Sequence, residues 1–223
     1  MVRSKVVIFR LRWQTRRNSR MTIVAVSQRV DFISTHNEFR DSLDQRLISF
    51  LLSTSFTPVP IPNCLFIQTR KETNPDLLIN WLMNVLPSAI VLSGGNDIGL
   101  FSLRDKTEYL ILDYAVENKI PVLGICRGMQ IMSRWAGTKL KRVEGHIRKR
   151  HNLKGKIKKE VNSYHAYSIA ECPKGFEILA LSEDGEIEAI RHSSLPFEGW
   201  MWHPEREIKF SNDDINRLKK LFK

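Results

Sequence analysis

Apolar positions along this chain follow two periods, and the order in which they follow one another predicts an α/β protein. Met21-Thr22-Ile23-Val24-Ala25-Val26 reads as a first strand, and Asn37 to Ser53 carries Phe39, Leu43, Leu47 and Phe50 or Leu51 at helical spacing. Pro58 to Pro62 is a short extended segment. Asn74-Pro75 can cap and start a helix running to Leu86. Ala89 to Leu92 is a continuous apolar run, as expected of a strand buried on both faces. Asp105 and Glu108 form a D-x-x-E start for a helix to about Asn118. A second apolar run from Val122 to Ile125 precedes a helix from Gly128 to Ala136, which Gly137 stops. The remainder is β-rich, with strands expected at Lys154–Val161, Phe176–Leu181, Glu186–His192 and Gly199–Glu205, and a closing helix from Asp213 to Phe222. Alternating elements of this kind fit a doubly wound, mostly parallel sheet. There is no internal repeat and no low-complexity linker, so residues 21–223 read as one domain.

Charge changes the picture at the amino end. The 223 residues carry a net +11, but residues 1–20 hold seven basic residues and no acid, leaving the rest only +4. That segment fits a misassigned start or a disordered tail better than a targeting segment, because it lacks an uninterrupted apolar stretch before a small-residue cleavage site. A start at Met21 is expected to suffice for folding and activity. Three cysteines form no disulfide framework, which favours a reducing, cytoplasmic setting.

Chemistry concentrates in PVLGICRGMQ, residues 121–130. Gly124-Ile125-Cys126-Arg127-Gly128 is the cysteine form of a nucleophile elbow, a tight strand-to-helix turn that presents a reactive side chain. The glycines leave room beside the thiol, and the helix start offers a positive field to a charged sulfur. Cys64 and Cys172 lack such surroundings and read as bystanders. In Trp202-His203-Pro204-Glu205, an extended chain would put His203 and Glu205 on one face, as general base and its orienting partner. The backbone N–H groups of Gly94 and Gly95, in the SGGND loop after a buried strand, could stabilise an oxyanion together with the N–H of Arg127.

VLSGGND, LGICRGMQ and HPE, in this order and spacing, resemble the class I glutamine amidotransferase-like superfamily. Arg104-Asp105 before Glu108, and Val161-Asn162-Ser163-Tyr164-His165, resemble its stand-alone γ-glutamyl hydrolase branch, which includes γ-glutamyl-γ-aminobutyrate hydrolases. Ser27-Gln28-Arg29, GGND and MWHPERE are most similar to hydrolases of γ-glutamyl-CDP-amidate, which act in capsule phosphoramidate biosynthesis. The resemblance covers about Met21 to Phe210. It implies a flavodoxin-like fold, a Cys126–His203–Glu205 triad, an oxyanion hole at Gly94, Gly95 and Arg127, and substrate contacts from Asn96, Gln130 and His165. Arg29 lies where open α/β sheets place ligands and could hold an anionic group.

Ten basic residues between Lys139 and Lys159 stand against one acid, either as a solvated face or as a rim attracting a phosphorylated substrate. His146 and His151 sit among those charges and read as solvated, while His165 is either a substrate contact or a loop residue without a role. The Cys and His positions show no paired short spacing, so no metal is expected, and the chemistry needs no organic cofactor. Trp200 and Trp202 suit core packing or stacking on a nucleobase. Three other activities remain open: an amine-conjugate hydrolase, a glutaminase subunit passing ammonia to a synthetase, and a basic nucleic-acid-binding protein. The last has no recognisable binding module in its favour.

Overall fold

The structure is a computed structural model that describes residues 22–65, 67–68, 73–74 and 76–223. The basic segment 1–20 and Met21 lie outside the described residues. In chain order the strands are β1 (Ile23–Ser27), β2 (Arg29–Ile33), β3 (Glu38–Ser42), β4 (Thr57–Ile61), β5 (Ile67–Gln68), β6 (Thr73–Asn74), β7 (Ala89–Leu92) and β8 (Val122–Ile125). They continue as β9 (Leu140–Arg142), β10 (Ile147–Asn152), β11 (Lys154–Gly155), β12 (Glu160–Tyr164), β13 (Tyr167–Ile169), β14 (Phe176–Leu181), β15 (Ile187–His192) and β16 (Phe197–Trp200). The helices are α1 (Gln45–Ser53), α2 (Asp76–Val85), α3 (Ser102–Glu117), α4 (Arg127–Trp135) and α5 (Asn212–Leu221).

One eight-stranded sheet, in the order β11-β14-β15-β16-β8-β7-β1-β4, organises the chain. The five strands from β16 to β4 pair in parallel, and the three pairings from β16 out to β11 are antiparallel. Alternate residues of the parallel strands enter two separate cores. Val24, Val26, Leu123, Ile125 and Trp200 pack on one face with α1 and α5. Ala25, Ile90, Leu92, Val122 and Phe197 pack on the other with α2, α3 and α4. Both faces are therefore covered, which explains the unbroken apolar runs in β7 and β8. Trp200 and Trp202 stack at 5.3 Å with ring planes 6° apart inside the first core, so packing accounts for both.

Four expected elements take a different form. The helix from Asn37 is a β2–β3 hairpin followed by α1. Asn37 adopts a left-handed turn (φ 50°), Phe32 and Phe39 pair across the strands at 5.0 Å, and the Asp44 carboxylate caps the helix by accepting from the Arg46 N–H at 2.8 Å. α3 starts a turn earlier than the D-x-x-E pattern suggests, because Asp105 and Glu108 point inward to buried arginines rather than capping. The strand at 154–161 is split: Gly155 (φ 119°) approaches the Leu179 carbonyl so closely that a Cβ there would lie 2.8 Å from it. β11 joins the main sheet, and β12 instead pairs with β10 as a separate ribbon. Finally, β16 ends at Trp200, and Pro204 opens a 3-10 turn over Pro204–Arg206.

The elbow allows the tightest test of the fold. A Cβ on Gly128 would sit 2.0 Å from the Leu92 carbonyl oxygen of β7, with no flexible side chain to yield. Gly128→Ala should therefore cost about 3 kcal/mol or more, read as a lower urea midpoint at unchanged m-value. An unchanged midpoint would mean that β7 and α4 are not in this contact.

Candidate active site

The carboxyl ends of β7, β8 and β16, neighbours at the centre of the sheet, bring the candidate residues together. Cys126 follows β8 in a conformation that side chains rarely adopt (φ 49°, ψ −104°). Such backbone strain costs on the order of 1–3 kcal/mol and persists only where surroundings enforce it. Here the Cys126 N–H donates to the Trp200 carbonyl at 2.7 Å, and its own carbonyl accepts from the Gln130 N–H at 3.0 Å. The two elbow glycines are equally confined, since a Cβ on Gly124 would meet the Gly128 carbonyl at 2.6 Å.

His203 arrives by a turn, not by strand alternation. Its Nδ1 lies 2.6 Å from Glu205 Oε1, and both side chains are almost fully buried. Asn162 of β12 grips the same residue by its backbone, donating to the His203 carbonyl at 2.8 Å and accepting from its N–H at 3.0 Å. Arg46 of α1 supports the far end of the turn through the Glu205 carbonyl at 2.8 Å. A Cβ on Gly94 would touch the His203 ring at 2.7 Å, so only glycine lets the SGGND loop pass beside the imidazole. Burial works to lower the His203 pKa, but the charges of Glu205 and Cys126 outweigh it and raise it to about 10.

The loop itself is fixed from behind. The Arg104 guanidinium donates to the Ser93 carbonyl at 2.8 Å, the Gly94 carbonyl at 3.0 Å and Asn96 Oδ1 at 3.2 Å. Arg127 donates to the Asn96 carbonyl at 2.9 Å and pairs with Asp105 and Glu108. Glu108 Oε1 also accepts from Arg104 at 3.1 Å and from the Ser27 hydroxyl at 2.8 Å. Burial pushes both guanidinium groups down to about 9, leaving them charged at neutral pH. In a trans peptide the N–H points opposite to the carbonyl. Tying the carbonyls of Ser93 and Gly94 to Arg104 thus turns the N–H groups of Gly94 and Gly95 away from it.

A cleft lined by Arg29, Ser42, Gly94, Gly95, His203 and Arg206 opens at this point. A larger cavity of about 460 Å³, lined by residues such as Phe39, Cys64, Leu100 and Phe101, contains none of Cys126, His203 and Glu205. The remaining expected contacts divide. Arg29 is exposed at the cleft, paired with Asp31 at 3.0 Å. The Asn96 amide is committed to the backbone of Val30 and to Arg104. Gln130 donates to the Tyr167 carbonyl at 2.9 Å. His165 is buried against His146 and Glu188, and His146 is also buried rather than solvated. His151 lies mostly buried beside them.

Four of the ten basic residues of the cluster are spent within the protein. Lys141, Arg150, Lys156 and Lys159 pair with Glu186, Glu160 and Glu207, Glu177, and Asp214 respectively. Lys154 sits in the outermost strand, three strand spacings or about 14 Å from β16. Arg29 and Arg206 are the cations lining the cleft, and Arg206 lies over the Tyr164 ring at 4.5 Å. Sequence reasoning read Asp105 and Glu108 as a helix start and gave Asn162 no role. The only available signal was that all three fall inside the motifs that carry the family resemblance.

Residues 36–219 match the family model described as glutamine amidotransferase class-I. The γ-glutamyl-CDP-amidate hydrolase of Campylobacter jejuni subsp. jejuni serotype O:2 is 31% identical over 208 residues, covering 89% of this chain and 96% of that protein. A glutamine-hydrolysing GMP synthase subunit of Methanocaldococcus jannaschii is 34% identical over 143 residues, covering 59% of this chain and 72% of that protein. Among solved structures, a candidate GMP synthase subunit from Thermoplasma acidophilum superposes with a TM-score of 0.66 at 17% identity, covering 92% of this chain and 94% of that one.

The His203 ring generates a prediction. Followed by NMR, it should hold its proton through neutral pH and lose it as pH rises through about 10. A raised pKa contributes stability below the unfolded value of about 6.5 that disappears as pH climbs through the folded one. Glu205→Gln removes an anion, so the titration should move to lower pH. A midpoint that stays in place would detach Glu205 from the imidazole.

Proposed function

We propose that this chain, which belongs to the class I glutamine amidotransferase family, hydrolyses the γ-glutamyl amide bond of a small γ-glutamyl conjugate. The observation that carries this reading is the buried His203 held by Glu205 at 2.6 Å, its charge coupled to a Cys126 mounted on a strained elbow. In this mechanism the Cys126 sulfur attacks the γ-carbonyl, and the oxyanion is met by N–H groups of Gly94, Gly95 and Arg127. His203 gives its proton to the departing nitrogen as the C–N bond breaks, leaving a γ-glutamyl thioester and a free amine or amidate. Water, deprotonated by His203, then attacks the thioester. Glutamate leaves, the sulfur is freed, and His203 keeps the proton it took from water.

γ-Glutamyl-CDP-amidate is the substrate best supported, which would put the enzyme in capsule phosphoramidate biosynthesis. The C. jejuni relative matches along nearly its whole length, whereas the GMP synthase subunits match 59% of this chain or close to it. Arg29 and Arg206 at the cleft suit a leaving group that bears phosphate. They take that role over from the Lys139–Lys159 cluster, because they line the cleft while Lys141, Lys156 and Lys159 are paired elsewhere. A second reading, a glutaminase passing ammonia to a synthetase, draws on the 34% identity to those subunits.

Glutamate release should separate these readings. The nucleotide conjugate should show a higher kcat/KM than γ-glutamyl-γ-aminobutyrate or glutamine, and its KM alone should rise with salt, as the Debye length contracts from about 10 Å at 0.1 M to about 3 Å at 1 M. Arg29→Ala should raise KM for that conjugate and leave the others nearly unchanged. Cys126→Ala should lose more than about 10⁴-fold in kcat with every substrate while Cys64→Ser keeps most activity. Preference for the amine conjugate would transfer the assignment to that hydrolase. Activity surviving in Cys126→Ala would sink the mechanism.

A further inference from the structure

Away from the elbow, three imidazoles and a carboxylate meet with no part in the chemistry above. His146 precedes β10, His151 lies within it, His165 follows β12 and Glu188 belongs to β15. His146 Nδ1 is 3.2 Å from His165 Nε2 and 3.5 Å from Glu188 Oε1. Glu188 Oε1 is 3.3 Å from both His151 Nε2 and His165 Nε2. The ligand-capable atoms of His146, His151 and Glu188 all fall within 4.8 Å of one another. Glu188 is fully buried, yet its Oε2 has no hydrogen-bond partner, and neither has the buried His151 Nε2.

Tautomers sharpen the point. The outward nitrogen of His146, Nε2, faces Asp184 Oδ2 at 2.8 Å, and that of His165, Nδ1, faces the Tyr167 carbonyl at 3.1 Å. Both partners are acceptors, so both outward nitrogens carry hydrogen, and without a further proton the inward ones present lone pairs. Two lone pairs beside a buried carboxylate repel one another unless something positive stands between them. Carboxylate–histidine pairing of the His146–Asp184 kind also orients metal-binding imidazoles. A tetrahedral Zn²⁺ with bonds of about 2.0–2.1 Å holds its ligand atoms about 3.3–3.4 Å apart. Within the set His146, His151 and Glu188, the two separations to Glu188 Oε1 are 3.5 and 3.3 Å, and the third stays within 4.8 Å.

We propose that His146, His151 and Glu188 bind a divalent cation with the size and tetrahedral preference of Zn²⁺, as a structural clamp, with the His165 ring packed beside them. The two negative charges of Glu188 and Asp184 match a dication. His146 and His151, with four residues between them, are the part of the site that short sequence spacing could have shown, and Glu188 joins them from β15. The clamp would fasten the β10–β12 ribbon to β15, and that ribbon carries Asn162, which holds His203. The inference stands independently of the substrate or of Cys126 chemistry.

The test uses the full chain and its Cys126→Ser variant, which keeps the catalytic thiol from competing for metal. After chelator treatment, titration with Zn²⁺ alone should show one ion bound per chain and raise Tm, and Co²⁺ should give the visible bands of a tetrahedral site. His151→Ala and Glu188→Gln should abolish uptake. Asp184 is largely exposed, so Asp184→Asn should fold and weaken binding about 10- to 100-fold. A folded, chelator-treated chain that takes up no Zn²⁺ at millimolar concentration, with Tm unmoved, would overturn the proposal and leave a shared proton among the imidazoles. Uptake that vanishes in Cys126→Ser but persists in His151→Ala and Asp184→Asn would overturn it equally, by locating the ion at the thiol.

Discussion

Two guanidinium groups cut off from water, on Arg104 and Arg127, hold the elbow end of the sheet in shape. Each answers a buried carboxylate, and each spends its remaining donors on carbonyls of the SGGND loop. A buried pair is a poor source of net stability, because desolvation consumes most of the attraction. Breaking one is another matter: removing either partner leaves a bare charge, at a cost of about 3–5 kcal/mol. The network therefore acts less as glue than as a constraint. No low-energy arrangement of the loop leaves those donors and acceptors unpaired, so the orientation of its peptides is settled once α3 and α4 dock.

The elbow is governed by the same logic at shorter range. Cys126 sits in a strained backbone well because β16 accepts its N–H and because Gly124 and Gly128 let β7, β8 and α4 close to contact distance. Strain in the Cys126 backbone is sustained by packing that extends across three parallel strands. The parallel half of the sheet is thus the part whose geometry the proposed chemistry requires, while the antiparallel strands from β15 to β11 extend it at one edge.

Much of this was legible in the residues. Continuous apolar runs announced β7 and β8, and glycines on both sides of Cys126 announced the elbow. Four features were hidden. Phe39 and Leu43 fit a helical stripe, but Asn37 could turn left-handed and Asp44 could cap, so a hairpin won over the longer helix. Asp105 and Glu108 have the spacing of a capping box, and only the tertiary presence of two arginines draws them inward. His203 and Glu205 do meet, but through a proline-initiated turn and not through strand alternation. The histidine cluster was hidden for a simpler reason: Glu188 joins His146 and His151 only after β10, β12 and β15 have assembled.

Asn162 gives the molecule an asymmetry between its reacting groups. The sulfur is mounted on the innermost strands, but the imidazole hangs by its backbone from a side chain of a two-stranded ribbon outside the main sheet. Ribbons of this kind open at lower free energy than sheet cores. Local fraying would thus dismount the proton carrier while the thiol stays where it is, and the protein could pass in and out of competence without unfolding. If His203 carries the proton as proposed, activity would then follow how often two strands are closed, a property of the ribbon and not of the sheet core.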